Sequence, residues 1–397
     1  MPGEDRIGAL PDDLLHRVLS FLPSRQSVCT CVLARRWRNL WKSVPAVRLY
    51  QGERAVFFSS LLLLRDRAPL HLVEIISPDR DLQPRDAEFL LGYAGSCNVQ
   101  VMRCVFTLSF LLPNMTLVCQ QLTRLQISGV VFRDRTLDFS SCPVLDLLEV
   151  HHSQICAEKI LCQSLTHLSM ENCFFPLCVR TRISCPSLRA FRLVDNLGLT
   201  PFLERMPSLV VAFVKFEEDT EDRYDHCYNG GYDEACDDEL CLACDHIDSE
   251  GNECVLLHGL AGAAELTVIS APEMIICTRD FKWRHMFGNL KTLHLSDWCL
   301  AADFSGLVYF LQQSPILERL TLVLKISKQQ PIDRKDETYK QTKQSLISKN
   351  LKVVEIKYRV YDKRSREIWT ILVSLLKTLV SLGVPLEHIK GPELCVV

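Results

Sequence analysis

The sequence has no apolar stretch approaching the roughly 18 residues that a membrane-spanning helix needs. Val56 to Leu64 comes nearest, but Ser59-Ser60 interrupt it and Arg65-Asp66-Arg67 close it. The N-terminal residues MPGEDRIGALPDD contain no apolar core of a secretory leader. Together these absences lead us to expect a nuclear and/or cytoplasmic protein with no membrane partner. Also missing are a Gly-rich phosphate loop, G-x-S-x-G, H-E-x-x-H and a kinase-like motif set. We therefore assign no catalytic residue and no cofactor. Cysteine, by contrast, is abundant, with 19 residues. In a long chain without a leader these read as reduced thiols, many beside Leu, Val or Phe, where Cys behaves as a small buried hydrophobe. With 11 histidines besides, accidental Cys/His pairings are inevitable and identify no nucleophile.

What is present begins with Asp5 to Pro45. Leu10, Leu14, Leu15, Val18, Leu19 and Leu22 recur at the spacing of one helix face. Pro11 and Asp12-Asp13 suit a first helical turn, and Pro23 ends the helix. Ser24 is placed to cap a second helix carrying Val28, Val32 and Leu33, and a third would carry Trp37, Leu40 and Trp41. Three short helices close too little core alone, so the unit needs a partner.

The run ALPDDLLHRVLSFLP followed by VLARRWRNLWKSVP resembles the plant form of the F-box. Ala34 stands where that family often has Ser. The resemblance implies docking onto a Skp-type adaptor and, through it, a cullin. By the same resemblance, the adaptor-binding positions would be Leu10, Pro11, Leu14, Leu15, Val18, Leu22 and Trp37.

Beyond it, a strand is expected at 44–49, a helix at 56–65, a strand at 70–76 and a weak helix at 87–93, while 99–110 has no clear register. From Leu122 the template L-x-x-L-x-L recurs: Leu122/Leu125/Ile127, Leu145/Leu148/Val150, Leu165/Leu168/Met170, Leu188/Phe191/Leu193 and Leu209/Ala212/Val214. It returns at Ala263/Leu266/Val268, Leu290/Leu293/Leu295, Leu317/Leu320/Leu322 and Leu351/Val354/Ile356. This period is that of leucine-rich repeats, whose buried Asn or Cys position falls here on Cys173 and Asn196. Repeats of this kind bury their leucines by stacking. Residues between the leucines then face the concave side, where Arg124, Gln126, His167, Arg192 and His294 are candidate contacts for an unknown protein target.

Between 217 and 254 lie fifteen Asp/Glu and one Arg. This composition reads as an inserted acidic loop. Cys241 and Cys244 have the C-x2-C spacing of two metal ligands, with His246 and Cys227 as companions. No second C-x2-C follows, so no metal is assigned. From Lys325 to Arg366 there are thirteen Lys/Arg against five Asp/Glu. Without an aromatic platform this suggests attraction to an acidic partner or to the chain's own acidic loop, and no nucleic acid. Ile368 to Leu382 reads as a capping helix that Gly383 ends.

We thus expect an α/β chain. It comprises a three-helix F-box (1–46), first irregular repeats (47–120), leucine-rich repeats (121–216), the acidic loop (217–254), further repeats (255–360) and a helical cap (361–397). An F-box followed by leucine-rich repeats resembles the plant F-box/LRR, FBD-like family. That resemblance implies a non-catalytic, substrate-recognition subunit of a Skp-cullin-F-box ubiquitin ligase. The alternatives are a scaffold without target ubiquitination and a zinc-dependent binding module.

Overall fold

The computed structural model describes residues 7, 9–50, 55–65, 68–77, 84–112, 117–216, 254–270, 280–296, 304–326, 350–360, 365–381 and 383–394. The expected acidic loop and most of the basic stretch fall outside them. The chain forms two compact units, Met1–Ser169 and Met170–Val397.

In the first unit, short helices precede a parallel sheet of β1 (Ala46–Leu49), β2 (Leu72–Ser77), β3 (Val101–Leu112), β4 (Arg124–Phe132) and β6 (Leu147–His151), paired in that order. β5 (Thr136–Asp138) pairs in parallel with β8 (Lys159–Leu161), and β7 (Gln154–Ile155) adds to β4. β9 (His167–Glu171) begins in the first unit and ends in the second. The second unit repeats the plan. β10 (Arg182–Ser184) pairs with β12 (Phe202–Leu203). A longer parallel series runs β11 (Ala190–Val194), β13 (Val211–Lys215), β14 (Glu265–Ile269), β15 (Thr292–Leu295), β16 (Arg319–Ile326), β17 (Val353–Val360) and β18 (Ile389–Leu394).

Register explains the leucine template. Leu266, Leu293, Leu320 and Val354 are consecutive Cα partners, and all are buried. Each strand alone would expose this row; stacking turns the rows into one apolar ridge. The alternate residues, such as Thr267 and His294, stand on the other face.

The repeats start earlier than the leucines suggest. Val44/Val47/Leu49, Leu70/Val73/Ile75 and Val99/Met102/Cys104 occupy the same three template positions and are all buried. The stretch 99–110, without clear register in sequence, is β3. At the other end, helix Ser365–Ser381 is followed by β18, which extends the sheet from β17. The helix expected as a cap is thus followed by one more strand of the sheet. Gly383, at φ 88°, does end that helix.

Each strand also needs a way off the sheet. Gly129, His152, Asn172 and Asp195 all adopt positive φ, at the same template position in successive repeats. At Gly129 a Cβ would lie 1.8 Å from the Phe106 carbonyl oxygen, so no other residue fits. The next position carries a polar ladder. The Asn196 side chain accepts from Cys173 N at 2.7 Å and donates to Met170 O at 3.0 Å. In the first unit, Ser153 Oγ plays the accepting part for Val130 N at 3.2 Å. These side chains pair main-chain groups that a short strand leaves behind. Asn196→Ala should therefore cost about 1–3 kcal/mol, the penalty for orphaning buried partners. Urea unfolding will measure it, and a loss below ~0.5 kcal/mol, within the range of a neutral surface change, would remove the ladder from the account.

Eight of the twelve described cysteines are buried. Burial pushes the thiol pKa of Cys104 up to about 12 and that of Cys142 to about 11. They stay protonated and act as small apolar fillers.

Candidate functional site

The N-terminal helices are built around a small core. α1 (Asp12–Leu19) follows Pro11, whose missing N–H is no loss at a helix start, and Asp12 and Asp13 meet its positive end. Leu15 and Leu19 point inward, against Trp37, Leu40, Val44 and Ala46, with Leu10, Leu22 and Leu72 partly buried beside them. α2 (Ser24–Cys29) comes next. Its Ser24 does not cap the helix as expected; its hydroxyl accepts from Arg48 N of β1 at 3.0 Å. The expected third helix is instead two 3-10 turns, Arg35–Arg38 and Leu40–Ser43.

Charged side chains brace this core. Arg36 reaches across to Asp12 Oδ1, with contacts of 3.0 and 2.6 Å, and to Leu10 O at 2.5 Å. Arg65, buried at the end of helix Ala55–Leu64, donates to Val44 O at 2.5 Å and to Trp41 O at 3.4 Å. Arg48 donates to Ser20 O at 2.8 Å and to Glu74 at 2.5 Å. Glu74 also accepts from Tyr50 at 2.8 Å and Arg103 at 3.1 Å.

Burial alone would raise the Glu74 pKa. The Tyr50 hydrogen bond and the Arg48 charge outweigh it and hold the carboxyl below its usual value. Burial and the same hydrogen bond raise the Tyr50 phenol, keeping it a donor. A depressed folded-state pKa means that Glu74 stabilises the fold above the ordinary carboxylate range, and that this is lost as pH falls through the lower folded value. Glu74→Gln should weaken the fold at neutral pH by about 1.5–3 kcal/mol, as a lost charge-assisted hydrogen bond does, and blunt its acid sensitivity. Urea midpoints measured against pH will show both; an unchanged acid limb would exclude Glu74 as its source.

The helices also present apolar side chains to solvent. Leu14, Val18 and Phe21 form one stripe and are 47, 51 and 69% exposed. Val32 and Leu33, expected on the second helix, lie beyond α2 and are 82 and 67% exposed. Of the expected adaptor positions, Pro11, Leu14 and Val18 lie at the surface, while Leu10 and Leu22 are half-buried. Leu15 and Trp37 are buried in the core, where they fill the space between the short helices. Phe21 was absent from the expected set, though it continues the Leu14–Val18 stripe at i+7 and i+3.

The five expected target contacts all lie between the buried rows. Arg124, His167 and Arg192 are exposed; Gln126 and His294 are half-buried. Arg192 is held in place by Glu171 at 2.5 Å and lies 4.4 Å over the Phe213 ring. Burial, reinforced by the Lys357 charge, lowers the His294 pKa and favours a neutral ring. Among the described residues no group of three or more His, Cys, Asp or Glu is placed to hold a metal ion. Cys227, Cys241, Cys244 and His246 lie outside those residues.

The family model described as the F-box domain matches residues 7–48, the segment that forms these helices. Residues 7–48 are an F-box. Similar curated proteins come from Arabidopsis thaliana. An FBD-associated F-box protein is 27% identical over 253 residues, 53% of this chain and 61% of the relative. A putative F-box/FBD/LRR-repeat protein is 28% identical over 247 residues, 52% of this chain and 57% of the relative. A further FBD-associated F-box protein is 30% identical over 150 residues, 36% of this chain and 35% of the relative. In each case the match spans less than two thirds of the relative. With the parallel solenoid, these likenesses support a plant F-box/LRR, FBD-like kinship.

Proposed function

We propose that the chain is a substrate-recognition subunit of a Skp-cullin-F-box ubiquitin ligase. The F-box docks onto a Skp-type adaptor, which links to a cullin. The outward sheet face holds a protein target, so that ubiquitin transfer by other subunits gains from proximity. The chain itself then contributes no catalytic group. The observation that carries this reading is the water-facing stripe of Leu14, Val18 and Phe21 beside a core already closed by Leu15 and Leu19. Large apolar side chains grouped on one helix face mark an interaction surface. Nucleus or cytoplasm remains the proposed location. Affinity capture under proteasome inhibition tests the receptor role. Captured partners should carry more ubiquitin when the F-box is intact; equal ubiquitin with and without it would point to a scaffold.

A further inference from the structure

Neither the F-box nor the outward sheet face accounts for a cavity in the second unit. It has a volume of about 350 Å³ and opens between the turn at 205–207, helix Leu257–Leu260 and the segment 285–289. Its polar lining comes from Arg205, His258, His285 and Asn289, with Met206 and Met286 alongside and no carboxylate among the lining residues. The close approach that shapes it depends on Gly262, where a Cβ would lie 2.8 Å from the Met206 carbonyl oxygen.

The walls are fixed by groups behind them. Fully buried Asp280 accepts from Val255 N at 2.9 Å, Leu256 N at 2.7 Å and Leu257 N at 2.9 Å. Its charge is thus spent on the main chain leading into the helix that carries His258. Tyr309 donates to Trp283 O at 2.7 Å and accepts from His285 N at 3.4 Å, holding the second wall. The His258 and His285 rings stack with centroids 4.9 Å apart and planes 3° from parallel. Asn289 uses one amide hydrogen on Gly262 O at 3.4 Å, which leaves the other to offer.

We propose that this cavity binds a small oxyanion, the carboxylate or phosphate group of a metabolite-sized ligand. The Arg205 guanidinium, the Asn289 amide and the His258 imidazole would hold it. A guanidinium fork and neighbouring N–H donors match the geometry of both groups. Binding should strengthen on acidification. Burial keeps Cys254 a thiol and Tyr309 a phenol, and Asp280 is already paired with main chain. Of the lining groups that leaves His285. Burial first, and then the neighbouring His258, hold the His285 pKa down against the pull of Asp280, and a bound anion would oppose that depression.

Isothermal titration of the full chain with inorganic phosphate, and separately with acetate, tests this, and the two arms tell which oxyanion the site prefers. We expect saturable one-to-one binding, and for acetate, which stays an anion throughout, a several-fold tightening from about pH 8 to about pH 6, the range in which histidine changes charge. Arg205→Ala, an exposed change that a melting curve can check for folding, should weaken it by about tenfold or more. His285→Gln should retain binding near pH 8 and lose the pH dependence. No saturable binding by about 10 mM, an affinity weaker than ~3 kcal/mol, would overturn the proposal. So would binding that neither substitution alters. Neither adaptor nor target enters the assay, so its result is independent of the F-box reading.

Discussion

Replacing Leu14, Val18 and Phe21 together by Asp should abolish capture of a Skp-type adaptor and leave thermal unfolding near that of the unaltered protein. All three side chains are already in water in the free chain, so the folded state loses little when they become polar. The complex loses much. Truncating an interface anchor costs ~1–3 kcal/mol, so three changes predict at least ~100-fold weaker binding, and buried carboxylates would deepen the loss. Leu15→Ala is the instructive comparison. It should also reduce capture, but by opening the core formed with Leu19 and Trp37, so its melting temperature should fall in parallel. Pull-down with purified adaptor, read beside a melting curve for each variant, separates the two. Undiminished capture by the triple variant would move the docking surface off α1.

Leu293→Ala and Leu168→Ala should each destabilise their own unit by ~2–5 kcal/mol. Both leucines are buried, and Leu293 lies between Leu266 and Leu320 in the stacked row. A cavity there removes contacts from two neighbouring repeats at once, so relaxation in one is resisted by the other. Thr166 and Thr292 occupy intervening positions, and their replacement by Ser should stay within ~0.5 kcal/mol. The Thr166 hydroxyl bonds Asp146 and His167 at an exposed site, which Ser can also do. Urea unfolding of the four variants decides it. Equal sensitivity at leucine and threonine positions would contradict the register seen in the strands.

The repeats from Leu122 onward were legible because their buried positions are spelled with leucine. The three before them were legible only in part: strands were expected at 44–49 and 70–76, but 99–110 showed no register. Val99/Met102/Cys104 presents the same apolar volume to the core, but a template written in letters passes over it, and only the neighbouring strands reveal the register. β18 was hidden for another reason. Its Gly391-Pro392 reads as a strand breaker, yet the pairing shifts there, with Glu355 opposite Lys390 and Lys357 opposite Glu393. An irregularity of this kind tolerates a residue without an N–H. The recurring left-handed residue was readable in principle. Gly, His, Asn and Asp at one template position share a tolerance for positive φ that the leucine pattern ignores. Within the F-box, periodicity found the apolar helix but could not tell its two faces apart. On a unit this small, Leu14 and Leu15 are equally apolar, and only the packing of Trp37 and Val44 decides which one turns inward. The histidine cavity left no sequence signal, because Arg205, His258 and Asn289 come from three different repeats.

The core that closes beneath α1 is not made by the F-box alone. Ala46 stands at its very end, in β1, but Leu72 belongs to β2, and Arg65 ties the end of the following helix back to Trp41 and Val44. A fragment cut at Pro45 would therefore expose the underside of Leu15 and Leu19 and leave main-chain carbonyls without their buried donor. The seam between the F-box and the repeats is thus a poor place to cut and a poor place to graft. An F-box exchanged from another chain would have to bring its own first two strands, or find an Ala and a Leu waiting at the same places.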